Sequence, residues 1–174
     1  APNCPERPLK KQSEKSCLQI QYTKFLNKSI TPFFLKTAKI DIIKTMKTYI
    51  IGSGGIGGYF GGLLAKSGTD VTFLARGKNY EALKNKGLKV KSIIGDFEID
   101  PVRVIENILE IEKPDLVIFS VKTYDTENVA KELALSVNKD TIILTFQNGV
   151  DNDNQIKKIV TSALVYPGVA YVIT

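Results

Sequence analysis

The chain has no histidine. That excludes imidazole acid–base chemistry and histidine-ligated metal sites from its 174 residues. Its two cysteines, Cys4 and Cys17, both stand near the start, so no disulfide framework can staple the rest. No apolar run approaches the roughly 20 residues of a membrane-spanning helix, and no stretch reads as a secretory hydrophobic segment. Beyond residue 45 there is no charge excess either. Fifteen basic and fifteen acidic residues follow that position, so the net charge of +6 belongs wholly to residues 1–45, which hold nine basic and three acidic residues. The basic balance is therefore not the electrostatic footprint of a nucleic-acid-binding fold, and neither nucleic acid nor a membrane is expected as a partner. A hydrophobic fraction of 43% and a charged fraction of 24% are ordinary for a soluble globular protein. The length suits one well-buried domain and is too short for two large ones. A cytoplasmic setting fits these features.

Residues 1–45 show no clear strand or helix pattern, apart from a mild apolar cluster at Ile30 to Leu35 broken by Pro32. Met46 follows directly, where an initiator would stand before a first strand. Three readings are open for this basic extension: a non-native or mis-started segment, a transit-type presequence, or a functional basic arm. Against the second, nearly all its positive charges are lysine, with Arg7 the exception, whereas transit peptides favour arginine.

The informative stretch is Lys47 to Gly68. The apolar run Tyr49-Ile50-Ile51 is short enough for a buried strand. Gly52-Ser53-Gly54-Gly55-Ile56-Gly57 follows as a G-x-G-x-x-G. Ile56, Tyr59, Phe60, Leu63 and Leu64 then recur at the period of a one-sided helix, which predicts that these residues form its inward face. Ser67-Gly68 is a helix stop. The glycines thus lie between a strand and a helix, the setting a dinucleotide-binding fingerprint requires. Gly52 permits the tight turn, Gly54 lets the backbone approach a pyrophosphate, and Gly57 lets the helix pack closely on the strand. The helix N-terminus offers free N–H groups and a partial positive charge to the phosphates. The alternative is a glycine-rich turn of some other α/β protein.

Val71, Phe73 and Ala75 alternate as a second strand that ends at Arg76-Gly77. NAD-preferring versions of the motif carry a carboxylate about 20 positions beyond the glycines to hold the ribose 2′-hydroxyl. Arg76 stands there instead, with Lys78 nearby, and a guanidinium matches a 2′-phosphate. The pattern points to NADP(H), the alternative being a solvated arginine in a turn. A helix is expected over Asn79 to Lys86, ended by Gly87. A hairpin-like excursion around Gly95-Asp96 precedes a strand at Val102-Arg103-Val104. Leu116 to Val121 is a continuous apolar run of the buried parallel type. Thr126 is placed to cap the next helix, with Val129, Ala130, Leu133, Ala134 and Val137 inward. Thr141 to Phe146 reads as another buried strand, Asp153 to Val160 as a helix, and Ala163 to Tyr166 and Val169 to Ile173 as strand material. Alternating strands and helices predict a doubly wound α/β fold of Rossmann type, a mainly parallel sheet with helices on both faces. Ligands of such sheets bind at the carboxyl ends of the strands, where Gly52, Arg76, Lys122 and Asn148 all fall.

Gly52-Ser-Gly-Gly-Ile-Gly-Gly58, Leu74-Ala-Arg-Gly77, Ser120-Val-Lys-Thr123 and Gln147-Asn-Gly149 stand in the order and spacing of ketopantoate reductases. Met46 to Thr174 resembles the N-terminal Rossmann domain of that family. The resemblance implies NADPH-dependent reduction of ketopantoate, a small 2-oxo acid, to pantoate on the route to coenzyme A. It implies that Gly52, Ser53, Gly54, Gly55, Ile56 and Gly57 hold the pyrophosphate, that Arg76 and Lys122 contact the adenosine phosphate end, and that Asn148 sits beside the nicotinamide and substrate as a positioning residue. Without it, Lys122 is a solvated loop lysine and Asn148-Gly149 a tight turn. The family further implies a second, helical domain beyond Thr174, which supplies the proton-donating lysine and a substrate-binding glutamate. Residues 46–174 are therefore expected to be the cofactor-binding part of an enzyme. Two alternatives stay open: another NADP-dependent 2-oxo-acid reductase, and a nucleotide-sensing module without chemistry.

Overall fold

A computed structural model describes residues 45–93, 95–149 and 151–170. The expectations about residues 1–44 and 171–173 lie outside them.

The first strand, β1 (Thr48–Ile51), is wholly buried and central. Helix α1 (Gly55–Lys66) returns the chain to β2 (Val71–Leu74). Helix α2 (Lys78–Lys86) ends at Gly87, whose φ of +66° is the left-handed conformation expected of a glycine stop. Strands β3 (Leu88–Val90) and β4 (Phe97–Ile99) form a separate antiparallel hairpin. The chain then enters β5 (Arg103–Ile105), a 3₁₀ turn at Ile108–Glu110, and β6 (Leu116–Phe119). A second 3₁₀ turn, Thr123–Asp125, leads into α3 (Thr126–Leu133). Strand β7 (Ile142–Thr145), helix α4 (Asn152–Ile159) and strand β8 (Leu164–Pro167) follow.

The main sheet has the order β5-β2-β1-β6-β7-β8, and every pair in it is parallel. The order reverses between β1 and β6, which is the doubly wound arrangement. Side chains alternate to the two faces of β1. Tyr49 and Ile51 join Phe119, Leu133, Ile143 and Ile156 in the core under α3 and α4. Ile50 joins Phe73, Leu83, Leu88 and Ile118 under α1, α2 and the hairpin.

Two local expectations are corrected. The inward face of α1 is only partly the apolar set: Phe60 and Leu64 pack against the core from the flank of the helix, but glycines form the face closest to the sheet. Its buried residues are Gly57, Gly58, Gly61 and Gly62, while Leu63 is exposed and Ile56, Tyr59, Phe60 and Leu64 are half-buried. The helix lies too close to the sheet for side chains on that face. A Cβ at Gly61 would stand 2.6 Å from Ile50 and 2.7 Å from Phe73, and one at Gly62 would stand 2.8 Å from Phe97. Thr126 does not cap α3 either. Asp125 occupies the cap position, and the buried Thr126 hydroxyl instead accepts a hydrogen bond from Gln147 Nε2 at 2.7 Å.

Candidate functional site

The carboxyl ends of β2, β1, β6 and β7 carry Arg76, the glycine turn, Lys122 and Asn148 in that spatial order. At about 4.8 Å per strand, the outermost two strands of this row are roughly 14 Å apart, with the glycine turn between them. The row straddles the switch point, where open α/β sheets bind ligands.

Gly52 has a φ of +98°, and a Cβ there would fall 2.7 Å from the backbone of Ser120. Glycine alone takes this turn without strain. A Cβ on Gly57 would collide with the Gly52 carbonyl oxygen and stand 2.5 Å from Ser120 Oγ. Gly54 and Gly55 differ from both. They are exposed, and a Cβ on either would meet nothing within 4 Å. It would project into open space in front of α1. No side chain caps α1, and its first turn holds no acidic residue. Its leading N–H groups, which have no intrahelical acceptor, are thus left for an anion. Bare N–H groups, small residues and an uncrowded approach fit a pyrophosphate.

Ser120 fastens this turn. Its hydroxyl donates to the Gly52 carbonyl at 2.8 Å. Gln147 fastens the neighbouring loops, donating from Nε2 to the Val121 carbonyl at 3.0 Å and to Thr126 Oγ1 at 2.7 Å. Asn152, buried at the start of α4, donates from Nδ2 to the Asn148 carbonyl at 2.8 Å and so holds the turn at Gly149. Phe60 of α1 stacks on Phe146 with ring centres 5.0 Å apart and planes 8° from parallel, which braces the wall beside Asn148. Lys122 and Asn148 are themselves exposed. Ser120, Gln147 and Asn152 carried no assigned role in the sequence: the partners of Ser120 and Gln147 lie in other segments, and Asn152 reads as an ordinary first residue of a helix. The motif context of Ser120 and Gln147 was the one available signal.

Arg76 is not free. Its Nη2 meets Glu132 Oε2 of α3 at 3.1 Å. The adjacent Gly77 N–H donates to Glu106 Oε1 at 3.0 Å. The groups whose pKa is displaced lie outside the row of site residues. A hydrogen bond with Tyr80 raises Lys84, one from Lys131 lowers Glu127, and one from Lys157 lowers Asp153.

Among the described residues, no helix is long and apolar enough to cross a membrane. The profile of the family described as "Ketopantoate reductase PanE/ApbA" matches residues 48–173. A 2-dehydropantoate 2-reductase of Pyrococcus horikoshii is 37% identical over 114 residues, which is 66% of this chain and 36% of that protein. The crystal structure of a PanE/ApbA family ketopantoate reductase from Ralstonia eutropha JMP134 superposes with a TM-score of 0.69 at 31% identity, covering 74% of this chain and 42% of that one. A D-mandelate dehydrogenase solved with NADH and anilino(oxo)acetate gives a TM-score of 0.61 at 25% identity, covering 70% and 40%. The chain therefore spans less than half the length of these relatives. A match over residues 48–173, joined to a parallel sheet whose glycine turn, Arg76, Lys122 and Asn148 share one edge, leads to one conclusion: the chain belongs to the ketopantoate reductase PanE/ApbA family.

Proposed function

We propose that residues 46–174 bind NADPH across the carboxyl edge of the sheet and serve the reduction of ketopantoate to pantoate. The observation that carries this reading is the spatial order Arg76, glycine turn, Lys122, Asn148 along four adjacent strand ends. The first turn of α1 receives the pyrophosphate through its N–H groups. Arg76 takes the 2′-phosphate, for which a guanidinium offers paired charge-assisted donors. Lys122 adds a flexible point charge for the adenosine phosphates. Asn148 orients the nicotinamide or the substrate carbonyl through an amide that both donates and accepts. The bound cofactor supplies a hydride to the carbonyl carbon of the 2-oxo acid.

Titration of cofactor fluorescence tests the reading. The chain should bind NADPH more tightly than NADH. Charge-assisted hydrogen bonds contribute roughly 1.5–3 kcal/mol, so Arg76→Ala should weaken NADPH by about 10- to 100-fold with little effect on NADH. Lys122→Ala should also cost NADPH more than NADH. Equal losses for both cofactors in Arg76→Ala would overturn the assignment. A second reading, reduction of a different 2-oxo acid, is favoured by the likeness to D-mandelate dehydrogenase. Competition among 2-oxo acids for the cofactor-loaded protein separates the two.

A further inference from the structure

We propose that Glu132 sets the strength of the cofactor preference by holding Arg76 in an ion pair that must open before Arg76 can meet a 2′-phosphate. The inference rests on the reading of Arg76 given above. The two residues are 56 positions apart, one just beyond β2 and the other on α3, so the fold and not local sequence brings them together. Their Nη2–Oε2 distance is 3.1 Å, and their side chains are 61% and 47% exposed. The pair is thus closed yet open to solvent, where an incoming anion can compete for the guanidinium.

The surroundings add to the competition. Arg76, Glu106, Asn107, Glu110 and Glu132 line an open groove of about 700 Å³. Glu110 is occupied, because it accepts from the Asn107 N–H at 2.9 Å. Glu106 already accepts from the Gly77 N–H beside Arg76. An anion drawn to Arg76 must therefore replace one carboxylate and lie near others. A neutral 2′-hydroxyl meets no such opposition and can donate to Glu132. The carboxylate consequently penalises NADPH and spares NADH. Arg76 supplies the preference for the phosphate, and Glu132 limits its size.

An exposed ion pair is weak, and the like-charge repulsion it exchanges for is screened by solvent. Neutralising Glu132 should therefore give a modest effect: Glu132→Gln should tighten NADPH by roughly two- to tenfold and leave NADH within about twofold. The gain should shrink as salt rises. Glu98→Gln, the same charge change on the distant β3–β4 hairpin where Glu98 pairs with Lys89, should leave the ratio of the two affinities unchanged. In an Arg76→Ala background, Glu132→Gln should tighten NADPH much less, because the ion-pair part of the effect is gone and only screened repulsion is left. Fluorescence titration of both cofactors against these variants decides the matter. If Arg76→Ala lowers NADPH affinity selectively but Glu132→Gln leaves the ratio unchanged, this inference falls and the assignment of Arg76 stands. If the Glu132→Gln gain persists undiminished without Arg76, the carboxylate does not act through the ion pair and the inference is likewise overturned. If Arg76→Ala weakens both cofactors equally, the inference and the reading beneath it both fail.

Discussion

The hydroxyl of Ser120, at the end of β6, donates a 2.8 Å hydrogen bond to the carbonyl of Gly52, at the end of β1. This contact ties the glycine turn to the strand on the far side of the switch point. It also places Ser120 Oγ 2.5 Å from where a Cβ on Gly57 would stand, so helix, turn and strand share one tight junction.

Ser120→Ala should therefore loosen the turn without removing any group proposed to contact the cofactor. A neutral hydrogen bond contributes about 0.5–1.5 kcal/mol. Affinities for NADPH and NADH should fall together, by roughly 2- to 12-fold. Cofactor titration checks this, and a loss confined to NADPH would show that Ser120 acts at the 2′-phosphate instead.

Gly54 and Gly57 should separate binding from folding. Gly57→Ala forces a Cβ into the Gly52 carbonyl, an overpacking that typically costs about 1–3 kcal/mol. The melting midpoint should drop by roughly 2–12 °C. Gly54→Ala meets no atom within 4 Å and loses only a modest N-cap preference, about 1 kcal/mol or less. Its Cβ should instead obstruct the phosphates and lower cofactor affinity by about tenfold or more, since a poorly accommodated group at that contact forfeits at least one charge-assisted hydrogen bond. Thermal melts and titrations of both variants test the contrast. A larger melting loss for Gly54→Ala than for Gly57→Ala would contradict it.

Gln147→Ala removes the amide that donates to the Val121 carbonyl and the Thr126 hydroxyl. Thr126 is fully buried, so its hydroxyl cannot turn to water. Leaving buried acceptors unpaired costs about 1–3 kcal/mol. The variant should melt lower, and its affinity for both cofactors should fall because the loops carrying Lys122 and Asn148 lose their common tie. An unchanged melting midpoint would show that the tie is dispensable.

The strands and the glycine turn were legible in the sequence because each signal is local: short apolar runs, alternation, and glycines at fixed spacing. Gly87 and the hairpin were readable for the same reason. The face of α1 was not. Periodicity weighs side chains, and the face that packs closest to Ile50 and Phe73 consists of residues that have none. Thr126 looked like a cap because threonine favours that position, but its partner Gln147 lies 21 residues away. Glu132 carried no signal at all, since it meets Arg76 only through the crossover that brings α3 beside the end of β2. Sequence pattern thus exposed the residues along the carboxyl edge of the sheet, and missed the residues that hold or restrain them.

The proposed reaction also needs a proton for the alkoxide that hydride transfer leaves, and a positioned acid contributes about 10²–10⁴-fold. Asn148 cannot titrate, the chain has no histidine, and Lys122 is assigned above to the adenosine phosphates. The 174-residue chain should therefore bind NADPH yet oxidise it with ketopantoate far more slowly than one of the longer relatives it matches. Loss of NADPH absorbance measures this. Turnover near the relative's rate would mean that a residue of this chain donates the proton.

The central claim is that a dinucleotide lies along the carboxyl edge of the sheet from Arg76 to Asn148. Amide chemical-shift mapping of the isotope-labelled chain during NADPH titration tests it most directly. Saturable shifts are expected at Gly52 to Gly57, Arg76-Gly77, Lys122 to Asp125 and Gln147 to Gly149, and none at Gly68 to Asp70 or at Arg103, on the opposite edge. Saturable shifts centred on that opposite edge, with the glycine turn unmoved, would contradict it.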